Sequence, residues 1–180
     1  MPFGGARTNY TISWPEPDDH ALGRSRGGWS TKAHAAVDAA GRPLSIRLTA
    51  GQAGDNPELM PVLADIAVPT GGRARSRPDT VVADKAYSHP STRKALRAKG
   101  INAVIPQRRD QIAHRLARGS RGGRPPGFDA AAYRGRNVIE RGYSDVKQWR
   151  GLATRYDKLG LTYRAGAVLR AIIQWLNHLV

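Results

Sequence analysis

The sequence lacks cysteine, is poor in acidic side chains and has no long uninterrupted apolar run. Without cysteine the chain can form no disulfide, no thiolate metal site and no cysteine nucleophile, which fits a reducing cytoplasm. The most apolar stretch, residues 165–176, contains Arg170 and Gln174 and is too short to span a bilayer. The N-terminus shows no apolar core of a secretory signal. We therefore expect a cytoplasmic protein with no membrane partner.

Positively charged side chains are the most prominent feature of the composition. The chain has 29 lysine and arginine residues against 14 acids, a formal net charge of +15 and a pI near 11.1. Arginine supplies most of this charge, and its planar guanidinium suits bidentate phosphate contacts. The balance predicts a nucleic-acid partner, although a ribosomal-type or histone-like protein would show the same charge. At 180 residues, one domain with a sizeable core is expected.

A glycine-arginine stretch divides the chain. Residues 1–22 read as an irregular segment and linker, so we expect the folded domain over residues 23–180. At residues 23–28, glycines would let backbone N–H groups approach an anion, while Arg24 and Arg26 add positive charge. We take these two arginines as candidate DNA contacts. A flexible basic loop is an equally good interpretation of the pattern.

The next segment predicts a β-hairpin and a helix. Residues 31–37 and 43–49 alternate as strands around a glycine-containing turn. A helix should begin at Asp55, which we interpret as its cap, and continue to about residue 66. The side chains that this helix should bury are Leu59, Val62, Leu63 and Ile66.

A short apolar run at residues 80–83 leads directly into Asp84 and Lys85. This pattern is typical of a buried strand that presents a carboxylate at its C-terminal edge, where open α/β sheets place their sites. The alternative is that Asp84 merely caps a turn. A helix over residues 88–99 and a second buried strand over residues 102–105 should follow.

Residues 106–128 form the most basic stretch, and we expect a long mobile loop that orders on DNA. Arg121 and Arg124 lie in its glycine- and proline-rich part, which repeats the Ser-Arg-Gly-Gly found near Arg26, and we take them as DNA contacts. The last element should be an apolar helix over residues 162–179, serving as a core lid or a dimer face. Its apolar stripe consists of Val168, Ile172, Trp175 and Leu179.

A helix predicted over residues 129–150 carries the central motif. Tyr133, Arg136, Glu140 and Lys147 are spaced by three, four and seven residues, which places them within roughly a 60° arc of a helix. A single carboxylate between two cations suits a metal ion and phosphates. The alternative is an amphipathic surface helix with an i, i+4 arginine–glutamate pair.

The order Tyr-x2-Arg-x3-Glu-x6-Lys resembles the signature around the catalytic glutamate of DDE transposases of bacterial insertion sequences. Residues 23–28, 84–87, 119–126 and 140–158 resemble transposases of insertion-sequence family five, with an IS4-like transposase domain. The similarity covers about residues 18–179. It implies an α/β, ribonuclease-H-like fold, in which helices flank a mixed sheet.

The resemblance also implies chemistry. Asp84 would match the second aspartate of the catalytic triad and Glu140 its glutamate, and together they would bind metal. Two Mg²⁺ ions, or Mn²⁺, would be expected in a complete site, because phosphodiester cleavage of this kind uses two divalent ions with oxygen ligands. Besides the four arginines above, the residues expected to contact DNA are Tyr133, Arg136, Lys147 and Lys85. The implied partners are terminal-repeat and target DNA in the nucleoid, and possible pairing with itself or a full-length transposase.

One part of the family pattern has no counterpart. The first catalytic aspartate of such enzymes lies on a strand upstream of residues 23–28, and no segment here matches it; Asp18 and Asp19 sit in the linker instead. We therefore expect an incomplete fold without its central first strand, and a truncated or frameshift-dependent transposase with little activity alone. The alternatives are a non-catalytic DNA-binding or inhibitory fragment and a basic RNA-binding protein.

Overall fold

The structure is a computed structural model, and it describes residues 20–177. The strands among these residues form a three-stranded antiparallel sheet and a two-stranded parallel sheet. The strands are β1 (Gly23–Ser25), β2 (Gly28–Val37), β3 (Pro43–Ala50), β4 (Thr80–Val82) and β5 (Asn102–Val104). The predicted α/β class is present, but no strand within residues 20–177 joins the two sheets into one.

Seven α-helices lie within the described residues. They are α1 (Leu59–Ala64), α2 (Pro90–Ala98), α3 (Arg109–Ala117), α4 (Ala130–Arg134), α5 (Asn137–Lys147), α6 (Arg150–Ala153) and α7 (Gly160–Leu176). Most of the segment predicted to be an irregular linker, residues 1–22, lies outside the described part of the chain.

The predicted hairpin is confirmed as β2 and β3. The pairing extends from Thr31 opposite Ala50 to Ala36 opposite Ser45, with an irregularity just before the turn. Asp38 closes that turn, because its Oδ1 accepts hydrogen bonds from the backbone N–H groups of the residues two and four positions later.

Residues 23–28 form part of a second hairpin, so the prediction of a flexible basic loop is wrong. β1 pairs with the first residues of β2, and Arg26 and Gly27 make the reversal. Gly28 has φ of +105°, a conformation that favours glycine and allows the chain to turn back so tightly. The arginines of this stretch are thereby presented on a strand and a turn.

The core lies between α1, α2, β4 and β5, as the apolar pattern predicts. The predicted inward face of α1 is confirmed, since Leu59, Val62, Leu63 and Ile66 are all buried. The main cluster also contains Val81, Ala83, Leu96, Ile101 and Ile105. This cluster fixes the position of β4 and of the residue that follows it.

Asp55 does not cap the helix with its side chain, which corrects the prediction. A 3-10 turn, Asn56–Glu58, precedes α1, and the Asp55 side chain makes no capping hydrogen bond. Its Oδ1 instead accepts a hydrogen bond from Nζ of Lys32 on β2 at 2.8 Å. An ion pair to a neighbouring strand has therefore replaced the local cap.

The loop predicted over residues 106–128 is largely folded, and that prediction is wrong for α3 and for the 3-10 turn Gly119–Gly122. Gln111 caps the start of α3, since its Oε1 accepts from the backbone N–H of Arg108 at 3.2 Å. Its amide also donates to the carbonyl oxygen of Ser88, which ties α3 to the core. Ordering of this stretch on DNA stays a prediction.

The single helix predicted over residues 129–150 is two helices, α4 and α5, and α6 begins at the last predicted residue. Between α4 and α5 the backbone tightens at Gly135, and the N–H of Arg136 donates to the carbonyl of Tyr133 in an i, i−3 bond of 3.0 Å. Trp149, which precedes α6, has an extended backbone that ends the helical run. The four motif residues are therefore distributed over two short helices and the turn between them.

The predicted C-terminal helix is confirmed up to Leu176 as α7, which packs along β3; Leu179 of the predicted apolar stripe lies outside the described residues. Nε1 of Trp175 donates to the carbonyl oxygen of Pro43 at 2.8 Å, and Nε of Arg164 donates to that of Ile46 at 2.9 Å. Several apolar side chains on α7 remain exposed: Leu161, Val168, Leu169, Ile172, Ile173 and Leu176. Within residues 20–177 no helix is long and apolar enough to cross a membrane.

Candidate catalytic carboxylate site

Asp84 lies two residues beyond the end of the buried strand β4. Its Oδ1 caps the 3-10 turn Lys85–Tyr87 by accepting a hydrogen bond from the N–H of Ala86 at 3.0 Å. Its side chain is 43% exposed. Asp84 therefore caps a turn through Oδ1, as one interpretation of the sequence predicts. Its Oδ2 takes no part in the cap, which leaves a carboxylate oxygen available at the strand end, as the other interpretation predicts.

Glu140 lies in the first turn of α5, and its side chain is 56% exposed. Its Oε1 accepts a hydrogen bond from Nη2 of Arg136 at 2.5 Å. This is the i, i+4 pair that a plain amphipathic helix would also form. The pair alone therefore does not separate a structural helix from a functional one.

The same guanidinium reaches the second carboxylate. Nη1 of Arg136 lies 3.7 Å from Oδ2 of Asp84, while Nη2 contacts Glu140. Two acids from a strand end and a distant helix thus meet at one cation. A surface helix with only a local ion pair would not produce this contact between elements.

Two aromatic rings pack close to the guanidinium of Arg136. The guanidinium carbon of Arg136 lies 5.6 Å from the ring centroid of Tyr133, within the range of a cation–π contact. The Tyr133 ring packs against Phe128 with centroids 5.3 Å apart. Sequence reasoning missed Phe128, and its only signal was an aromatic residue shortly before the motif. Sequence reasoning also predicted that Arg136 contacts a DNA phosphate, whereas in this structure its guanidinium contacts both carboxylates.

Two lysines flank the pair of acids. Lys85 is exposed and follows Asp84 directly, and Lys147 is exposed at the end of α5. Lys147 lies two helical turns beyond Glu140, about 10 Å along the axis and on nearly the same face. Neither ammonium group forms an ion pair or hydrogen bond with residues 20–177, so both can contact an anion.

Two phenols that the sequence analysis did not single out lie behind the site. Tyr143, one turn after Glu140, donates a hydrogen bond from its hydroxyl to the carbonyl oxygen of Ala33 on β2 at 2.8 Å. Burial raises the pKa of Tyr143. Burial, reinforced by the negative charge of Asp55, raises the pKa of Tyr87 to about 12. Both phenols are therefore protonated at neutral pH, and the Tyr143 hydroxyl acts as a structural donor.

The four predicted arginine contacts lie elsewhere on the surface. Arg24 and Arg26 are on the β1–β2 hairpin, Arg121 is in the 3-10 turn after α3, and Arg124 follows that turn. None of the four contacts Asp84 or Glu140 in the structure. They form exposed positive surface outside the pair of carboxylates.

The donor set suits a hydrated hard cation. Mg²⁺ commonly takes one or two carboxylates together with water and substrate phosphate, and Asp84 and Glu140 offer two accessible carboxylates. Within residues 20–177, no three histidine or acidic side chains lie close enough together to hold a metal ion. Arg136 occupies the space between the two carboxylates, so a cation could be bound there only if this guanidinium moved aside, and the described residues do not form a three-acid site.

Comparison with known proteins gives the family. The profile of the transposase DDE domain matches residues 10–172, so the chain belongs to this family. It is 30% identical over 148 residues to a putative transposase for insertion sequence element IS6501 from Brucella ovis, covering 82% of this chain and 99% of that protein.

A second relative is longer. The chain is 33% identical over 146 residues to a putative transposase for insertion sequence element IS402 from Burkholderia cepacia. The match covers 80% of this chain but only 59% of that protein, so the chain spans about three fifths of this relative's length. No solved structure matches the chain significantly.

Proposed function

We propose that this chain is a catalytic domain of an insertion-sequence transposase, acting by metal-dependent cleavage and transfer of DNA strands. The observation that carries the proposal is the meeting of Asp84 and Glu140 at the guanidinium of Arg136. Membership of the transposase DDE family and the net charge of +15 support it. The finer placement in insertion-sequence family five, with an IS4-like domain, is part of the proposal.

In this mechanism Asp84 and Glu140 would hold Mg²⁺ or Mn²⁺. The bound metal would activate the attacking water or 3′-hydroxyl and stabilise the leaving oxygen. Arg136 is ion-paired with both carboxylates in the structure described here, and it would turn to a DNA phosphate when the cation takes its place. Tyr133 would keep the guanidinium close to the site, because the cation–π contact does not depend on either acid.

The lysines would hold the DNA backbone on both sides of the reacting phosphate. Lys85 adjoins Asp84, and Lys147 lies two turns from Glu140 on the same helix. An ammonium group acts on phosphate as a point charge, so these contacts would position a strand without selecting its sequence. Double-stranded terminal-repeat and target DNA are the partners that this arrangement would serve.

A third acidic ligand is expected from outside residues 20–177. The two sheets are not joined by a strand among these residues, and no third acid approaches the pair. Asp18 and Asp19 lie outside the described part of the chain. With two carboxylates alone, a bound cation would be poorly neutralised, and we expect slow cleavage by such a chain. A truncated or frameshift-dependent product is the form of this proposal that the family pattern favours.

The second candidate is a DNA-binding or inhibitory transposase fragment without catalysis. The exposed arginines on the hairpin and after α3 favour it, because they bind phosphates without any need for the carboxylates. Under this proposal, Glu140→Gln and Asp84→Asn leave DNA affinity unchanged or slightly higher, since each removes a negative charge.

The test combines metal binding with strand cleavage. Mn²⁺ binding would be measured by electron paramagnetic resonance, and nicking would be measured on a plasmid carrying the DNA that flanks the coding sequence. Glu140→Gln and Asp84→Asn should each weaken Mn²⁺ binding and abolish any nicking. Asp110→Asn is the matched control, because Asp110 is an exposed acid on α3 paired with Arg108.

The possible results separate the two candidates. Mn²⁺ binding and nicking that survive Glu140→Gln would refute the assigned metal site. Tight, salt-sensitive DNA binding with no metal binding by the wild-type chain would favour the non-catalytic fragment. Loss of both activities in the Asp110→Asn control would mean that the change in charge, and not the site, is responsible.

A further inference from the structure

The tip of the β1–β2 hairpin combines an exposed aromatic ring with two arginines. We propose that this tip binds an unpaired nucleobase of a DNA strand by stacking it on Trp29, with Arg24 and Arg26 holding the adjacent phosphates. The inference rests on the proposed function, because it takes DNA as the substrate. It adds a base-contacting element that lies away from the carboxylates.

Trp29 has an unusual environment for a tryptophan. Its side chain is 72% exposed, the highest value among the large apolar side chains within residues 20–177. The two other tryptophans in this range have cation partners, since Trp149 lies against Arg170 and Trp175 lies against Arg42. Among residues 20–177 the ring of Trp29 has no such cation partner, and its high exposure leaves ring surface that can receive a planar group.

The two arginines at the tip have no acidic partner within residues 20–177. Arg24 is the cross-strand partner of Trp29, which places the two side chains on one face of the hairpin, and Arg26 is in the turn. Neither side chain forms an ion pair or hydrogen bond with the described residues. By contrast, Arg42, Arg47 and Arg136 are paired with acids. A local excess of positive charge beside an aromatic ring matches a nucleic-acid strand.

The hairpin is stiff enough to present this surface. The hydroxyl of Ser25 donates to the carbonyl oxygen of Gly28 at 2.9 Å, and the hydroxyl of Ser30 donates to that of Ser25 at 3.0 Å. These bonds lie inside the hairpin and leave Trp29 outside. A pre-formed tip loses little conformational entropy when it binds, which favours a specific contact over a flexible one.

The tip lies within reach of a strand held at the carboxylates. The hydroxyl of Tyr143 contacts Ala33 in the middle of β2, and Gly41 at the far end of the β2–β3 hairpin adjoins Val138 of α5, so α5 and β2 run in opposite directions. Trp29 and Glu140 therefore lie on opposite sides of the contact at Ala33. The separation is about 20 Å, from the rises of a strand and a helix. About six nucleotides of one strand span that distance.

An unpaired base is the partner that this geometry fits. Bases inside a duplex have both faces covered by their neighbours and offer only their edges in the grooves. A tryptophan ring can stack on an uncovered base of any type, because every base has a π-face. Strand cleavage creates DNA ends, where the terminal base has lost one stacking neighbour and offers an uncovered face to the tip.

The experiment compares two DNA duplexes without metal ions. One is fully paired, and the other carries a short run of unpaired bases; both are fluorescently labelled, and binding to the full chain is followed by fluorescence anisotropy in EDTA. The wild-type chain should prefer the duplex with unpaired bases. Trp29→Ala should weaken binding to that duplex by about tenfold while leaving the paired duplex unchanged. Trp29→Phe should keep most of the preference, because a phenyl ring still stacks.

Leu161→Ala is the matched control, since Leu161 is a similarly exposed apolar side chain, at 69%, on α7. It should change neither affinity. Arg24→Ala with Arg26→Ala should weaken binding to both duplexes and reduce its salt dependence. Circular dichroism would show that each variant is folded.

Equal effects of Trp29→Ala on both duplexes, or none on either, would overturn the inference. Because the measurement excludes metal, failure of the Asp84 and Glu140 site would not affect it. Failure of the chain to bind any DNA would overturn both proposals, whereas binding that ignores Trp29 would overturn only this one.

Discussion

Asp84 and Glu140 meet at one guanidinium, but the regions that carry them are built differently. Asp84 follows β4, whose Val81 packs in a cluster with Leu96, a side chain that is 0% exposed. Glu140 lies on α5, in which no residue is fully buried. Apolar packing therefore fixes one acid, while the position of the other depends on more exposed contacts.

Polar contacts tie the helical region, α5 to α7, to the strands at the start of the domain. Tyr143 joins α5 to β2, and Arg155 joins the segment before α7 to Ala21 and Thr31. Regions with few buried apolar contacts open at low free energy, and ligand-binding elements are commonly drawn from them. We therefore expect Asp84 to stay in place and Glu140 to adjust when metal and DNA bind.

The largest expected effect concerns the buried core that holds Asp84 in place. Leu96→Ala should lower the free energy of unfolding by about 3 kcal/mol, because it removes fully buried methyl groups and leaves a cavity. Leu169→Ala, at a 58% exposed position on α7, should change it by no more than about 0.5 kcal/mol. Urea unfolding would measure both variants. Similar losses would mean that α7 is packed against a surface that residues 20–177 do not provide.

The next largest effect is expected from the hydrogen bonds by which Arg155 links the helical region to Ala21 and Thr31. Arg155 donates to the carbonyl oxygens of Ala21, Asp157 and Lys158 and to the hydroxyl of Thr31. Arg155→Met keeps the aliphatic stem but removes every donor, and should cost about 2 kcal/mol in urea unfolding. Hydrogen exchange should rise in α6 and α7 and stay unchanged in α2. Faster exchange throughout the molecule would contradict the division into two regions.

A smaller effect is expected at the contact between α5 and β2. Tyr143→Phe removes the hydroxyl that donates to Ala33 and should cost about 1 kcal/mol, because the carbonyl oxygen loses its partner. Tyr156→Phe, at an exposed position, is the control and should be neutral. If Tyr143→Phe has no effect on unfolding but weakens Mn²⁺ binding, the bond positions Glu140 more than it stabilises the fold.

The smallest expected effect is a pH dependence of stability that arises from His34 on β2. Burial lowers the pKa of His34 below its ordinary value of 6.5, and its Nε2 lies 2.7 Å from the hydroxyl of Thr49. The unfolded chain therefore binds a proton more readily, and stability should fall as the pH decreases from about 6.5 through the lower folded-state pKa. His34→Gln should flatten this part of a thermal-unfolding profile. An unchanged profile would show that other groups control it.

Local pattern was enough to predict much of the fold. The alternation of residues 43–49 predicted β3, and the inward face of α1 follows from apolar residues at helical spacing. The predictions failed where tertiary contacts overrode composition. Residues 106–128 are rich in arginine and were predicted to form a loop, yet residues 109–117 form a helix that Gln111 caps and ties to Ser88. The capping residue of α1 was also misassigned, because Lys32 takes the Asp55 carboxylate.

The sequence by itself determined the charge of the protein, the strand that ends at Asp84 and the motif spacing around Glu140. These features are local, because strand and helix periodicities act over a few residues and charge needs no fold. Only the tertiary structure decided that Arg136 contacts both acids, that Tyr143 is buried against β2 and that Trp29 is exposed at a hairpin tip. The first two outcomes depend on contacts between residues far apart in the chain, and the third depends on where the short hairpin lies relative to the rest of the fold, so no local pattern encodes them.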